Sequence, residues 1–227
     1  MKIHDILEQR IEEGPNDPHI FKAVFLAGGP GSGKSFVANQ MLAGSGLKSV
    51  NSDEIYEYLM QKHDMDMSDP EVIASPQGQE TRDRAKALTK KREDHYIDGR
   101  LGLVIDGTGK DVAKVSKANK ALKELGYETL MIFVNTSEEV AQQRNQQRAR
   151  SIPAEMVTKM WQAVQQNLMK FQQLFGASNF LVVDNSGGLE DPDRTENFQE
   201  VDKNLRRFLN APPKMPAAKR WLQDNKK

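Results

Sequence analysis

Gly28, Gly29, Pro30, Gly31, Ser32, Gly33, Lys34 and Ser35 stand between an apolar run, Ala23 to Ala27, and a helix-like pattern of Val37, Met41 and Leu42. The string satisfies G-x-x-x-x-G-K-[ST] in the strand-to-helix setting this motif requires. Glycines admit backbone conformations in which successive N–H groups converge on one anion at the positive end of a helix dipole. A polyphosphate such as that of ATP fits this nest. Lys34 would meet the β and γ phosphates as a point charge, and the Ser35 hydroxyl would ligate a Mg²⁺ bridging them. A ligand-free turn would need neither a lysine nor a hydroxyl in register after the last glycine.

Two aspartates stand where acid chemistry could meet that loop. In "SVNSDEIY" Asp53 follows a short strand-like run, and the chain turns into a helix with Ser52 or Asp53 as its expected cap. Ligands gather at strand carboxyl ends in parallel sheets, and a carboxylate there can take the proton of an attacking hydroxyl. Asp53 is therefore the candidate base. "LGLVIDGTG" closes an apolar strand with Asp106, and a carboxylate at a buried strand end is costly unless something satisfies it. Asp106 is assigned to the metal or the substrate, with Thr108 offering a hydroxyl beside it.

"EEVAQQRNQQRARSIP" sets Arg144 and Arg148 one turn apart on a helix, with Arg150 near the break at Pro153. Guanidinium groups on a closing segment could neutralise charge that spreads over a transferring phosphoryl group and could exclude water. "LVVDNSGG" ends the last strand-like run and brings Asn185 to a position that could line an adenine base.

The elements that must hold these residues alternate in type. Strand-like runs cover 23–27, 47–51, 101–106, 130–134 and 180–184, and helical patterns separate them, as in a parallel α/β sheet. The connection between the second and third runs exceeds a minimal crossover. Its first half, with Met60, Met65, Met67, Pro70 and Pro76, reads as an adaptable insertion on the substrate side. Lys110, Lys114, Lys117, Lys120 and Lys123 form a solvated helix face or an anion-binding one. Ile3, Ile6, Leu7 and Ile11 mark residues 1–20 as an amphipathic lead-in helix. Residues 21–210 form one expected domain, and 211–227 read as a basic tail that Trp221 and Leu222 could dock.

Composition narrows the classes. With 227 residues, 37% hydrophobic and 28% charged, and a mean hydropathy of −0.68, the chain suits one globular domain with a solvated surface. Cysteine is absent, which excludes disulfides and thiolate chemistry. The 32 basic residues balance 32 acidic ones, so no global field draws the chain to nucleic acid. The first twenty residues carry five acidic and two basic groups, unlike a secretory or transit segment, so a cytoplasmic location is expected.

The ordered set "GGPGSGKS", "VNSDEIY", "VIDGTG" and "RNQQRARSIP" resembles the P-loop kinases that include polynucleotide 5′-hydroxyl kinases and zeta-toxin-like kinases, over residues 20–186. The resemblance implies a three-layer sandwich with sheet order 2-3-1-4-5, ATP with Mg²⁺, and Asp53 as base. It also implies lid contacts to phosphate from Arg144 with Arg148 or Arg150, and a hydroxyl acceptor. That acceptor could be a nucleic acid end, a nucleotide or a nucleotide sugar. A nucleoside monophosphate kinase and a non-catalytic nucleotide switch are the alternatives.

Overall fold

The computed structural model describes residues 16–147, 151–187 and 191–225. Five strands, β1 (Lys22–Ala27), β2 (Lys48–Val50), β3 (Leu103–Asp106), β4 (Glu128–Asn135) and β5 (Phe180–Asp184), form one sheet. The order is β2-β3-β1-β4-β5 and every pairing is parallel. The expected sheet is thus present, with β2 and β3 shorter than their apolar runs and β4 longer.

Period-two alternation builds the two faces. Ala23, Phe25 and Ala27 of β1 join Met131 and Phe133 of β4 in one core, packed by Phe171 and Phe175. Val24, Leu26, Leu130, Ile132 and Val134 point the other way, onto Val37, Met41, Val201 and Leu205. Helices α1 (Lys34–Leu42) and α9 (Pro192–Asn210) cover this second face. The first face receives α5 (Val112–Glu124), α8 (Leu168–Phe175) and α10 (Pro216–Asp224). The central strands β1 and β4 bury both sides, as a sheet with helices on both faces requires, while β2 at the edge is only half-buried.

The long connection folds as α2 (Ser52–Lys62), α3 (Pro70–Ala74) and α4 (Pro76–Asp98). Its apolar residues make a satellite core of Ile55, Leu59, Met60 and Ala85, on which Met65 and Met67 pack. Met60 is therefore core, while Met67 also reaches the cleft described below. The remaining helices, α6 (Glu138–Gln146) and α7 (Ala154–Gln165), lie between β4 and β5 in sequence.

At the carboxyl end, α10 is a docked helix. Ala218 is fully buried and the Trp221 ring meets Phe21 edge-on at 5.5 Å, so the docking expected of Trp221 occurs. Three prolines and the basic excess concealed this helix, because Pro216 sits at its first turn, where proline is tolerated. On α5 Lys114, Lys117 and Lys120 are exposed, in keeping with a solvated face. The lead-in pattern Ile3 to Ile11 lies outside the described residues. Among the described residues no helix is long and apolar enough to cross a membrane.

Candidate active site

The loops leaving β1, β2 and β3 border one cleft of about 770 Å³. Residues Gly28 to Ser35 line one part of it, and Asn51, Asp53 and Asp106 line it too. In the loop Gly31 and Gly33 take φ of 72° and 81°, the left-handed region open to glycine. A Cβ at Gly31 would also lie 2.3 Å from the Ala141 carbonyl oxygen. Gly33 is the N-cap of α1 and no side chain caps that helix. The first-turn amides, which have no intrahelical partner, are thus left for an anion.

Lys34 Nζ stands 2.7 Å from Asp106 Oδ1. Asn51 Nδ2 donates to Asp106 Oδ2 over 3.1 Å. Asp106 Oδ1 is buried and, among the described residues, has no hydrogen bond beyond this ion pair. An oxygen with spare acceptor capacity, in a cleft that Ser35 also lines, suits a hard divalent cation. The described residues contain no cluster of three or more acidic or histidine ligands, so such a cation would rest mainly on phosphate oxygens and water.

Asp53 sits in the first turn of α2, exposed to the cleft. The cap of that helix is Asn51, whose Oδ1 accepts from the Asp53 amide at 2.9 Å. This corrects the expected Ser52 or Asp53 cap. Asn51 keeps the extended conformation of the strand end, and Ser52 is already helical.

Arg144, in the last turn of α6, points its Nη1 at the carbonyls of Gly31 and Ser32, 3.4 and 3.5 Å away. Burial, and then the charge of Arg194, pull its pKa below the usual arginine value. Arg148 and Arg150 lie outside the described residues. Asn145 bridges the segment that contains them. Its Nδ2 donates to Ile152 O at 2.8 Å and its Oδ1 accepts from Ile152 N at 3.1 Å. Asn185 does not line the cleft. It is buried against the loop, with Nδ2 donating to Ser32 O at 2.7 Å and Oδ1 accepting from Arg194 Nε at 3.0 Å. With both ends of its amide engaged, the side chain braces the loop rather than facing a base.

The zeta toxin family profile matches residues 7–196. The chain belongs to the zeta toxin family. No curated protein matches the sequence. The same fold recurs in a chain of the PezAT chromosomal toxin–antitoxin system of Streptococcus pneumoniae, with TM-score 0.58 and 15% identity over 91% of this chain and 94% of that one. The AvrRxo1-ORF1:ORF2 complex with ATP gives TM-score 0.56 and 13% identity over 98% and 83% of the two chains. A gluconokinase from Sinorhizobium meliloti gives 0.50 and 15% over 84% and 95%. Together they identify the P-loop kinase fold.

Sequence reasoning missed several cleft residues of this zeta toxin family member. Glu54, Tyr56 and Glu57 line the cleft beside Asp53. Asp53 and Glu57 are one helical turn apart, so the signal was available once α2 was placed. Arg82 also lines the cleft, its guanidinium 4.6 Å above the Tyr56 ring. Nothing local marks Arg82, because its neighbours in space are distant in the chain.

Proposed function

We propose that the protein is an ATP-dependent phosphotransferase that passes the γ-phosphoryl group to an alcohol bound beside α2. The observation that carries this reading is that Asp53 and the Gly28–Ser35 loop open into one cleft. Main-chain amides of the loop cradle the phosphates. Lys34, held by Asp106 in this structure, turns its ammonium to the β and γ oxygens when nucleotide enters. Asp53 accepts the proton of the acceptor hydroxyl as its oxygen bonds to the γ phosphorus and the bond to the β-phosphate bridging oxygen breaks, releasing ADP. Arg144, with Arg148 and Arg150 from the adjoining segment, offsets the charge on the moving group.

Ser35 and Asp106 would hold Mg²⁺, which when bound draws charge off the β and γ oxygens. Glu54, Tyr56, Glu57 and Arg82 border the space left for the acceptor. The gluconokinase and the ATP-bound complex that share this fold are in keeping with the nucleotide and the alcohol.

The test is transfer from γ-labelled ATP to a panel of 5′-hydroxyl DNA and RNA, nucleosides and UDP-sugars. Label is expected on an alcohol acceptor, with kcat lower by about 10²- to 10⁴-fold in Asp53→Asn while ATP affinity is kept. Slow hydrolysis that no acceptor accelerates would replace this reading with a nucleotide-dependent switch.

A further inference from the structure

Asn185 and Arg194 stand outside the cleft lining, yet Asn185 meets the phosphate loop directly and Arg194 meets Asn185. Asn185 is 1% exposed. Its backbone is fixed on both sides, the amide donating to Asn135 O at 2.9 Å and the carbonyl accepting from Thr136 Oγ1 at 3.3 Å. Arg194, 9% exposed, can only donate. The Asn185 oxygen must therefore face Arg194, and its NH₂ must face the Ser32 carbonyl. The Arg194 guanidinium also lies 5.3 Å from the Phe36 ring and 4.9 Å from the Phe198 ring. Phe36 belongs to α1, the helix that the loop feeds. One cation thus fixes both the amide beneath Ser32 and the helix after it.

The Ser32–Gly33 peptide needs such a brace. An anion nest works only while its carbonyls point away from the anion and its N–H groups point in. A flip of this peptide changes ψ of Ser32 and φ of Gly33; Gly33 sits at positive φ, and glycine tolerates the conformations on either side of such a flip. A flipped Ser32–Gly33 peptide would aim an oxygen at the phosphates and withdraw the Gly33 N–H. Asn185 prevents this by holding the Ser32 oxygen, and it packs so closely that a Cβ on Gly33 would stand 2.2 Å from its Nδ2.

We propose that Arg194 is a positioning residue for nucleotide phosphates, acting through Asn185 to lock the Ser32–Gly33 peptide in its anion-binding orientation. The inference rests on the phosphate-loop reading above. It differs from two simpler roles, a positive charge felt at long range and a contact from Asn185 to the base.

Titration calorimetry with ATP and with inorganic tripolyphosphate, on Arg194→Met, Asn185→Leu and the double variant, separates them. Each single change is expected to weaken both ligands on the order of ten-fold. Because Arg194 acts on the Ser32 peptide through Asn185, the double variant should lose clearly less than the sum of the two single losses. In the transfer assay KM for ATP should rise while KM for the acceptor holds. Additive losses would assign Arg194 to long-range charge, and a loss confined to ATP would assign Asn185 to the base; either overturns the proposal, as do unchanged affinities. If Asn185→Leu melts too low to titrate, Asn185→Ser, too short to span both partners, takes its place in the cycle. Wild-type protein that binds neither ligand would instead remove the phosphate-loop reading itself.

Discussion

A triphosphate entering the loop would meet a lysine that already has a partner. Lys34 and Asp106 are 2.7 Å apart, with side chains about one-fifth exposed, so phosphate must compete with a carboxylate for the ammonium. The same carboxylate repels the phosphates unless a cation lies between them. In magnesium-free buffer, Asp106→Asn should therefore bind ATP more tightly than the wild type. A partly exposed ion pair is worth ~1 kcal/mol, so about five-fold is expected by calorimetry. In magnesium the order should reverse in turnover, because Asn offers the cation a weaker ligand. Tighter binding of wild type without magnesium would separate Asp106 from both roles.

Among the elements, the loop around α6 and α7 shows where local sequence stops being informative. The phosphate loop was legible because its glycines, lysine and serine are contiguous and their conformational demands are local. Asp53 and Asp106 were legible because apolar strand runs end beside them. Asn145 carried no such mark, since its importance lies in closing a bridge to Ile152 across the intervening arginines. The same holds for Arg194, which reaches Asn185 from another helix, and for Asn185, whose strand-end position was read correctly but whose direction was not. Asn145 is 4% exposed, so truncating it leaves backbone groups of Ile152 without their partners. Asn145→Ala should cost ~1–3 kcal/mol and lower the melting temperature by roughly 2–12 °C. If the bridge positions the arginine segment, kcat at a temperature where the variant is folded should fall about ten-fold or more, with ATP affinity less affected. A stability loss with kcat intact would make the bridge purely structural.

Across the whole molecule, the candidate site and a buried ion pair occupy opposite ends of the sheet. The cleft borders the carboxyl ends of β1, β2 and β3. At the amino ends Lys22 and Glu128 face each other in register and form a close ion pair. Lys22 is 1% exposed and its ammonium lies 4.8 Å from the Phe208 ring of α9. Glu128 accepts through its other oxygen from the Lys214 amide at 3.1 Å, tethering the chain between α9 and α10. Glu128→Gln keeps the shape but removes the charge that offsets Lys22. A buried charge stripped of its partner costs ~3–5 kcal/mol, which at ~2–4 °C per kcal/mol for a domain of this size lowers the melting temperature by roughly 6–20 °C. Because the sheet stands between this pair and the loop, ATP affinity measured well below the transition should be unchanged. Calorimetric melting and ATP titration on the same sample read both quantities. A parallel fall in affinity would mean that the two ends of the sheet are coupled, and that the loop's geometry depends on more than its own braces.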